Sequence, residues 1–137
     1  MKPSLQAGVS MTKRITIDRE RTIGFMGEDA RVYATPSLIM DIERTCRELI
    51  MEHADAGVDS VGIDVSIKHL AATLPGMNVE IAVRVAAVEG RRVMFEVSAN
   101  DELEAISTGT HARFVVDTAK TVERLKAKAA RRDALKK

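Results

Sequence analysis

The chain has 137 residues, of which 45% are hydrophobic and only 3% aromatic, and its 21 basic and 20 acidic side chains nearly balance. This apolar content excludes a disordered chain, the single Cys46 excludes a disulfide framework, and the absence of an 18-residue apolar run excludes a transmembrane helix. The length predicts one domain. With one thiol and no apolar leader, we expect a cytoplasmic protein.

The charge is unevenly distributed along the chain. Residues 118–137 contain eight basic and two acidic side chains, a net charge of +6. We therefore expect a single domain over residues 1–117, followed by a basic C-terminal helical tail over 118–137. A basic tail can bind nucleic acid, but this tail has no aromatic side chain for base stacking, which favours a solvated helix.

The first clear element in chain order is a helix. Short β-like runs at 15–17 and 22–23 precede it. Between residues 35 and 56 apolar side chains recur at spacings of three and four, which is typical of one face of an amphipathic helix. Thr35 before Pro36 predicts the N-cap, and Gly57 predicts the end of the helix.

Beyond this helix the apolar period becomes two. Alternating runs cover residues 61–69, 79–85, 93–99 and 106–116, with turn residues between them. Long strands joined by short turns predict an antiparallel sheet, and the helix has to cover one face of it. The predicted fold class is α+β, with an antiparallel sheet wrapped around a central helix as in the hot-dog architecture.

The usual signatures of catalytic and metal sites are missing from the sequence. The three histidines lie on different predicted elements and the cysteine is alone, so no metal site is predicted. A nucleophile elbow and a glycine-rich phosphate loop are also missing. Three residues remain as candidates: Thr35 at the helix start, Glu43 about two turns later, and His69 at a strand end. Each taken alone is also explained as a helix cap, a surface acid or a packed histidine.

The order of several local patterns carries a resemblance. Thr35 and Glu43 are eight residues apart, and Gly62 and His69 are seven apart. The runs that follow in order are His-Leu-Ala-Ala-Thr-Leu-Pro-Gly (69–76), Val-Glu-Gly-Arg-Arg (88–92), Ser-Ala-Asn-Asp (98–101) and Gly-Thr-His-Ala-Arg (109–113). Over about residues 30–116 the chain resembles the hot-dog thioesterases of the fluoroacetyl-CoA thioesterase type.

The resemblance implies an enzyme that hydrolyses a short-chain acyl-CoA thioester. Thr35, Glu43 and His69 would form the catalytic group, and Gly62 would contact the acyl thioester. The protein would work as a homodimer whose sheets pair edge to edge, with the formation of tetramers left open. Coenzyme A would enter as part of the substrate, and no other cofactor is implied.

Other residues refine this hypothesis. Lys68, Arg91 and Arg92 are the nearest basic candidates for the CoA phosphates, although each is also explained as a solvated surface charge. The family's phenylalanine-lined lid corresponds to residues 25–33, which here are short and charged, with only Phe25 and Tyr33 as aromatic residues. This departure favours a general short-acyl-CoA thioesterase over a fluoroacetyl-selective one.

Two alternatives remain open at this stage. Asp64 and His69 have the Asp-x4-His spacing of hot-dog enoyl-CoA hydratases, but their opposite parity places them on opposite faces of a regular strand. The other alternative is a non-catalytic hot-dog domain that binds acyl-CoA, with a basic tail that docks on nucleic acid.

Overall fold

The computed structural model describes residues 1–136, which form seven strands, two α-helices and two short 3-10 helices. The strands are β1 (Ser10–Thr16), β2 (Thr22–Ile23), β3 (Val32–Tyr33), β4 (Val58–His69), β5 (Asn78–Glu89), β6 (Arg92–Asn100) and β7 (Ala105–Asp117). The helices are α1 (Thr35–Met51) and α2 (Thr118–Ala134). Among the described residues, neither helix is long and apolar enough to cross a membrane.

Five strands form one antiparallel sheet in the order β1-β5-β6-β7-β4, so that β1 and β4 are its edges. Strands β2 and β3 form a separate two-stranded ribbon just before α1. One face of the large sheet and one face of α1 share a single apolar core. This arrangement confirms the predicted α+β hot-dog architecture, in which a sheet wraps around a central helix.

Helix α1 packs on the sheet through an apolar face with the predicted spacing. Its buried apolar residues are Leu38, Ile42, Cys46, Leu49 and Ile50. Burial raises the pKa of the Cys46 thiol to about 12, which makes it a core residue rather than a nucleophile. The predicted end near residue 56 was wrong: α1 ends at Met51. Gly57 instead forms the turn into β4 with a φ of +81°, a conformation that favours glycine.

Strand β4 contains a β-bulge near its middle. Gly62 pairs with Arg113 of β7, and Asp64 pairs with the adjacent Ala112. Ile63 is therefore an extra residue with no partner of its own in the β4–β7 pairing. The bulge reverses the alternation of β4 at this point, so the residues before it and after it follow opposite parities.

This reversal decides which residues of β4 face the helix. The uniform alternation predicted from residue 61 to 69 is wrong, because Val61 and Ile63 are exposed. Gly62 and His69 are an odd number of residues apart, yet they pair with Arg113 and Ser107, which share one face of β7. Both therefore face the inner side of the sheet, toward α1.

Helix α2 begins directly after β7, and none of its residues is buried. Its side chains Lys120 and Arg124 and the turn residue Arg91 line a surface cleft of about 190 Å³. Asp117 lies in the same cleft, 3.6 Å from both Arg91 and Lys120. The cleft is at the end of the sheet where β4 begins, because Asp117 pairs with Val58.

Candidate active site

The start of α1 and the end of β4 meet in a hydrogen bond between two side chains. The hydroxyl oxygen of Thr35 lies 2.7 Å from His69 Nδ1. The predicted N-cap was wrong: the cap position is Ala34, Thr35 is the first helical residue and Pro36 the second. The Thr35 hydroxyl bonds His69 instead of capping the helix, so two of the three predicted catalytic residues are in direct contact.

This pair opens onto a cleft of about 370 Å³, whose other walls come from Ile23, from residues 32–34 and from residues 70–72. Thr35 is exposed and His69 is half-buried. Burial lowers the pKa of His69 below its usual value of 6.5, so the imidazole is neutral at pH 7. A neutral imidazole has one basic nitrogen, and it can accept a proton from a hydroxyl group or a water molecule.

A buried acid fastens the β2–β3 ribbon to α1 beside this cleft. The carboxylate of Asp41 accepts hydrogen bonds from the Tyr33 hydroxyl and from Arg21 Nε, the latter at 2.9 Å. Burial, with a further contribution from Asp41, raises the pKa of Tyr33. The Tyr33 ring meets the His69 ring edge-on, with centroids 6.4 Å apart. The network therefore fixes one wall of the cleft against the histidine.

A second polar group lies where α1 passes over the bulge of β4. A Cβ atom built on Gly62 would lie 3.4 Å from Glu43 Oε1, 3.2 Å from His111 Cε1 and 3.5 Å from Arg113 Nη1. Three side chains therefore converge over the α-carbon of Gly62, in a space that a glycine leaves open. The structure thus brings the predicted residues Glu43 and Gly62 together.

His111 and Arg113 are members of this group that the sequence analysis did not single out. Arg113 Nε donates to the Ser60 hydroxyl at 2.8 Å, and its Nη1 lies 3.2 Å from His111 Nε2. A guanidinium only donates, so His111 Nε2 accepts and Nδ1 donates to the Asp64 carbonyl oxygen at 2.8 Å. Burial lowers the pKa of both His111 and Arg113. Their two-residue spacing on β7 was the sequence sign that they share a face.

Within one chain the two polar groups stay apart. Thr35 and Glu43 are separated by eight helical residues, which corresponds to an axial rise of about 12 Å. Gly62 and His69 are separated by the second half of β4. The structure therefore joins Thr35 with His69 and Glu43 with Gly62, but one chain does not assemble all the predicted catalytic residues at one point.

The basic candidates lie in two different places, both outside the cleft beside Thr35. Lys68 is exposed on the outer face of β4, since it directly precedes His69. Arg91 lies in the β5–β6 turn and Arg92 begins β6, close to α2 and to the start of β4. Arg91 Nη1 also donates to the Val115 carbonyl oxygen at 3.2 Å.

The hydratase alternative fails on the geometry of β4. Asp64 pairs with Ala112 and His69 pairs with Ser107, residues of opposite parity on β7. The two side chains therefore face opposite sides of the sheet, as their own parity predicted. An acid and a histidine on opposite faces do not form one acid–base site.

The fold is that of a hot-dog protein, and a threonine–histidine hydrogen bond lies at its cleft. The family model of fluoroacetyl-CoA-specific thioesterase matches residues 17–119 of the chain. The chain belongs to this family: it is a thioester hydrolase that acts on acyl-CoA. The alternative of a non-catalytic acyl-CoA-binding domain is therefore set aside.

Individual relatives agree with this assignment. The fluoroacetyl-CoA thioesterase of Streptantibioticus cattleyicolor is 29% identical over 123 residues, which cover 85% of this chain and 88% of that protein. A thioesterase-superfamily protein of Thermus thermophilus superimposes with a TM-score of 0.89 at 29% identity, covering 98% and 99% of the two chains. A point variant of the fluoroacetyl-CoA-specific thioesterase, solved with fluoroacetate and CoA, gives a TM-score of 0.80 at 28% identity, covering 85% and 99%.

Proposed function

We propose that the protein hydrolyses short-chain acyl-CoA thioesters with a catalytic group of Thr35, Glu43 and His69. The observation that carries this proposal is the 2.7 Å hydrogen bond between Thr35 and His69 at the mouth of a cleft. The cleft is small and its walls are mainly apolar, which suits a short acyl group. Phe25 is 89% exposed and does not line the cleft, so we propose a general short-acyl substrate rather than fluoroacetyl selectivity.

Thioester hydrolysis needs an activated water or nucleophile, a site for the oxyanion and a proton for the leaving thiol. In this proposal the Glu43 carboxylate activates the water or attacks to form a transient anhydride. The neutral His69 and the Thr35 hydroxyl orient the water and pass its proton onward. The backbone N–H near Gly62 stabilises the oxyanion, and the CoA thiolate leaves readily.

These roles require Glu43 to lie beside the pair of Thr35 and His69, which one chain does not provide. Strand β4 is an edge of the sheet, so its outer side can pair with another strand. It is also long, and it exposes Val61 and Ile63. We infer that a second copy of the chain pairs with this edge, β4 against β4, and completes the site.

Charge complementarity selects the register of this pairing. In an antiparallel pair with Ser66 on the two-fold axis, Val65 lies opposite Ile67 of the partner subunit. Asp64 then lies opposite the partner's Lys68, and Lys68 lies opposite the partner's Asp64 on the other side of the axis. Opposite charges that face each other across two strands are stabilising. Moving the axis by one residue in either direction separates Asp64 from Lys68.

The same register brings the two halves of the site together. Ile63 is the bulged residue and adds no step to the pairing, so His69 lies opposite Gly62 of the partner subunit. Residues that are directly opposite share a face, with Cβ positions about 5 Å apart. The partner's Glu43, which lies over the partner's Gly62, then reaches the hydrogen-bonded pair of Thr35 and His69.

The basic candidates divide between two roles in this dimer. Lys68 forms the ion pair with the partner's Asp64. Arg91 and Arg92 lie near the start of β4, which antiparallel pairing places beyond Gly62 and close to the partner's cleft. We propose that they bind the CoA phosphates together with Lys120 and Arg124, which line the same surface cleft as Arg91.

Thiol release from a panel of acyl-CoAs, acetyl through octanoyl with fluoroacetyl included, tests the proposal. We expect wild type to favour the short chains and Glu43→Gln to lose about a hundredfold or more in kcat, the scale of a general base. Glu48→Gln is the matched control, because Glu48 lies on the same helix but pairs with Lys13 on the surface. Near-normal turnover by Glu43→Gln, or wild-type preference for octanoyl-CoA, would contradict the proposal.

A further inference from the structure

Two buried polar atoms on neighbouring strands beside the candidate active site have no hydrogen-bond partner. Across the described residues, His69 Nε2 and the Ser107 hydroxyl oxygen are the buried side-chain atoms left without a partner. Ser107 is fully buried and pairs directly with His69 between β7 and β4. Residues that are directly opposite in an antiparallel pair project from the same face, so the serine hydroxyl is directed to the side of the sheet that carries the imidazole.

The surroundings of His69 leave Ser107 as its partner. Nδ1 is already bonded to Thr35. The Tyr33 ring packs edge-on against the imidazole, but its hydroxyl donates to Asp41. Nε2 is enclosed by atoms of its own chain, so a substrate in the cleft does not reach it. A buried ring nitrogen that lacks a partner costs free energy, and the Ser107 hydroxyl, on the residue directly opposite, is the unpartnered group that could bond it.

We propose that Ser107 is a positioning residue whose hydroxyl oxygen accepts a hydrogen bond from His69 Nε2–H. This hydrogen bond holds the imidazole in the tautomer whose Nδ1 is unprotonated and faces Thr35. The Thr35 hydroxyl then donates to Nδ1, and the same nitrogen can take a proton during turnover. The consequence for turnover rests on the proposed function, whereas the tautomer is a property of the free protein.

His111 provides an internal reference for this tautomer. Arg113 donates to His111 Nε2, so the His111 proton is on Nδ1. Nitrogen NMR of protein labelled in histidine distinguishes the two forms, and the chain contains three histidines. We expect His69, assigned by its loss in His69→Gln, to show a protonated Nε2 and an unprotonated Nδ1, the reverse of His111.

Ser107→Ala tests the cause of the tautomer. We expect the two His69 nitrogen shifts to move toward a mixture of tautomers and kcat to fall about tenfold with KM nearly unchanged, because the reactive tautomer is no longer held. Ser107→Thr keeps the hydroxyl and should restore both. Thr108→Ala, which removes an exposed hydroxyl from the other face of β7, should change neither.

The outcomes separate this inference from the proposed function. A wild-type His69 with its proton on Nδ1, or unchanged His69 shifts in Ser107→Ala, would overturn the role of Ser107. The expected tautomer in a wild-type protein that hydrolyses none of the acyl-CoAs would overturn the proposed function alone. If Ser107→Ala does not fold, the His69 tautomer in wild type and the His69 shifts and kcat of Ser107→Thr still test the role of Ser107.

Discussion

The two ends of the layer formed by α1 and β4 differ in their chemical groups and in the space beside them. At the start of α1, Thr35 and His69 form a neutral hydrogen-bonded pair beside a cleft of about 370 Å³. Two turns later Glu43 lies with a buried guanidinium, that of Arg113, over a bare glycine. The cleft has space for a reactant but no acidic residue among the described residues of its walls, because the nearby Asp41 lies behind Tyr33 and bonds Tyr33 and Arg21. The other end has the Glu43 carboxylate.

This difference supports the proposal that the catalytic groups are divided along one chain and are joined between two chains. A carboxylate base acts on a water molecule only within hydrogen-bond reach of it. In the dimer that we propose, antiparallel pairing of β4 about Ser66 would bring the unlike ends of two chains together and keep the like ends apart. The pairing would also place Asp64 opposite the partner's Lys68, on the face away from the proposed catalytic groups.

Filling the space over Gly62 should damage the carboxylate end alone. In Gly62→Ala the added methyl lies 3.2 Å from His111 Cε1, so His111 must shift by a few tenths of an ångström, and it lies against Glu43 and Arg113 at 3.4 and 3.5 Å. We expect kcat/KM to fall by about tenfold or more, because catalysis depends steeply on the position of the base. The His69 nitrogen shifts should stay as in wild type. Wild-type kinetics in this variant would exclude the Glu43 end from the site.

Reversing a charge on the exposed edge of β4 should weaken the proposed dimer. This would separate Glu43 of one chain from the Thr35–His69 pair of the other. Asp64→Lys or Lys68→Asp places like charges opposite each other at two symmetric positions, which should weaken the dimer about tenfold. The double reversal restores opposite charges and should restore both association and turnover. Sedimentation equilibrium measures the association, and thiol release measures the turnover. Glu104→Lys is an exposed control away from β4. Single reversals that dimerise like wild type would contradict the register.

The pH dependence of activity should distinguish the neutral Thr35–His69 pair from the charged group around Glu43. Burial lowers the pKa of His69 below 6.5, and in the proposed mechanism the neutral ring is the active form. Activity should therefore stay level as pH falls to 6.5 and decline severalfold only below it. The unfolded chain takes up this proton near pH 6.5 and the folded chain does so at lower pH, so stability also decreases as pH falls below 6.5. An acidic limb of kcat centred above pH 6.5 would contradict the account.

Much of the fold could be predicted because it depends on local periodicity. The apolar spacing of α1 and the alternation along β5 and β6 each follow from which face is buried. The bulge at Ile63 could not be predicted in this way, since the β4 sequence alternates through it without a break. Its effect is large, because without it Gly62 and His69 would lie on opposite faces.

The sequence indicated candidate site residues, which stay a prediction, but it did not indicate their contacts. Thr35 before Pro36 has the local pattern of a cap, and only the tertiary approach of His69 gives its hydroxyl another partner. His111 and Arg113 lie in the run Gly-Thr-His-Ala-Arg (109–113), but their contact with Glu43 and Gly62 depends on β7 lying beside β4. Which pairs of distant residues meet depends on strand register and not on local spacing.

Subunit exchange tests most directly whether two chains complete one site. Glu43→Gln and His69→Ala are each expected to be inactive as pure dimers. A mixed dimer has one site with an intact Thr35–His69 pair from the first chain and an intact Glu43 from the second. After exchange at equal concentrations, verified by native mass spectrometry, we predict recovery of about a quarter of wild-type activity, since half of the dimers are mixed and each has one complete site. Exchange without any recovery would show that each chain carries its own site and would contradict the account.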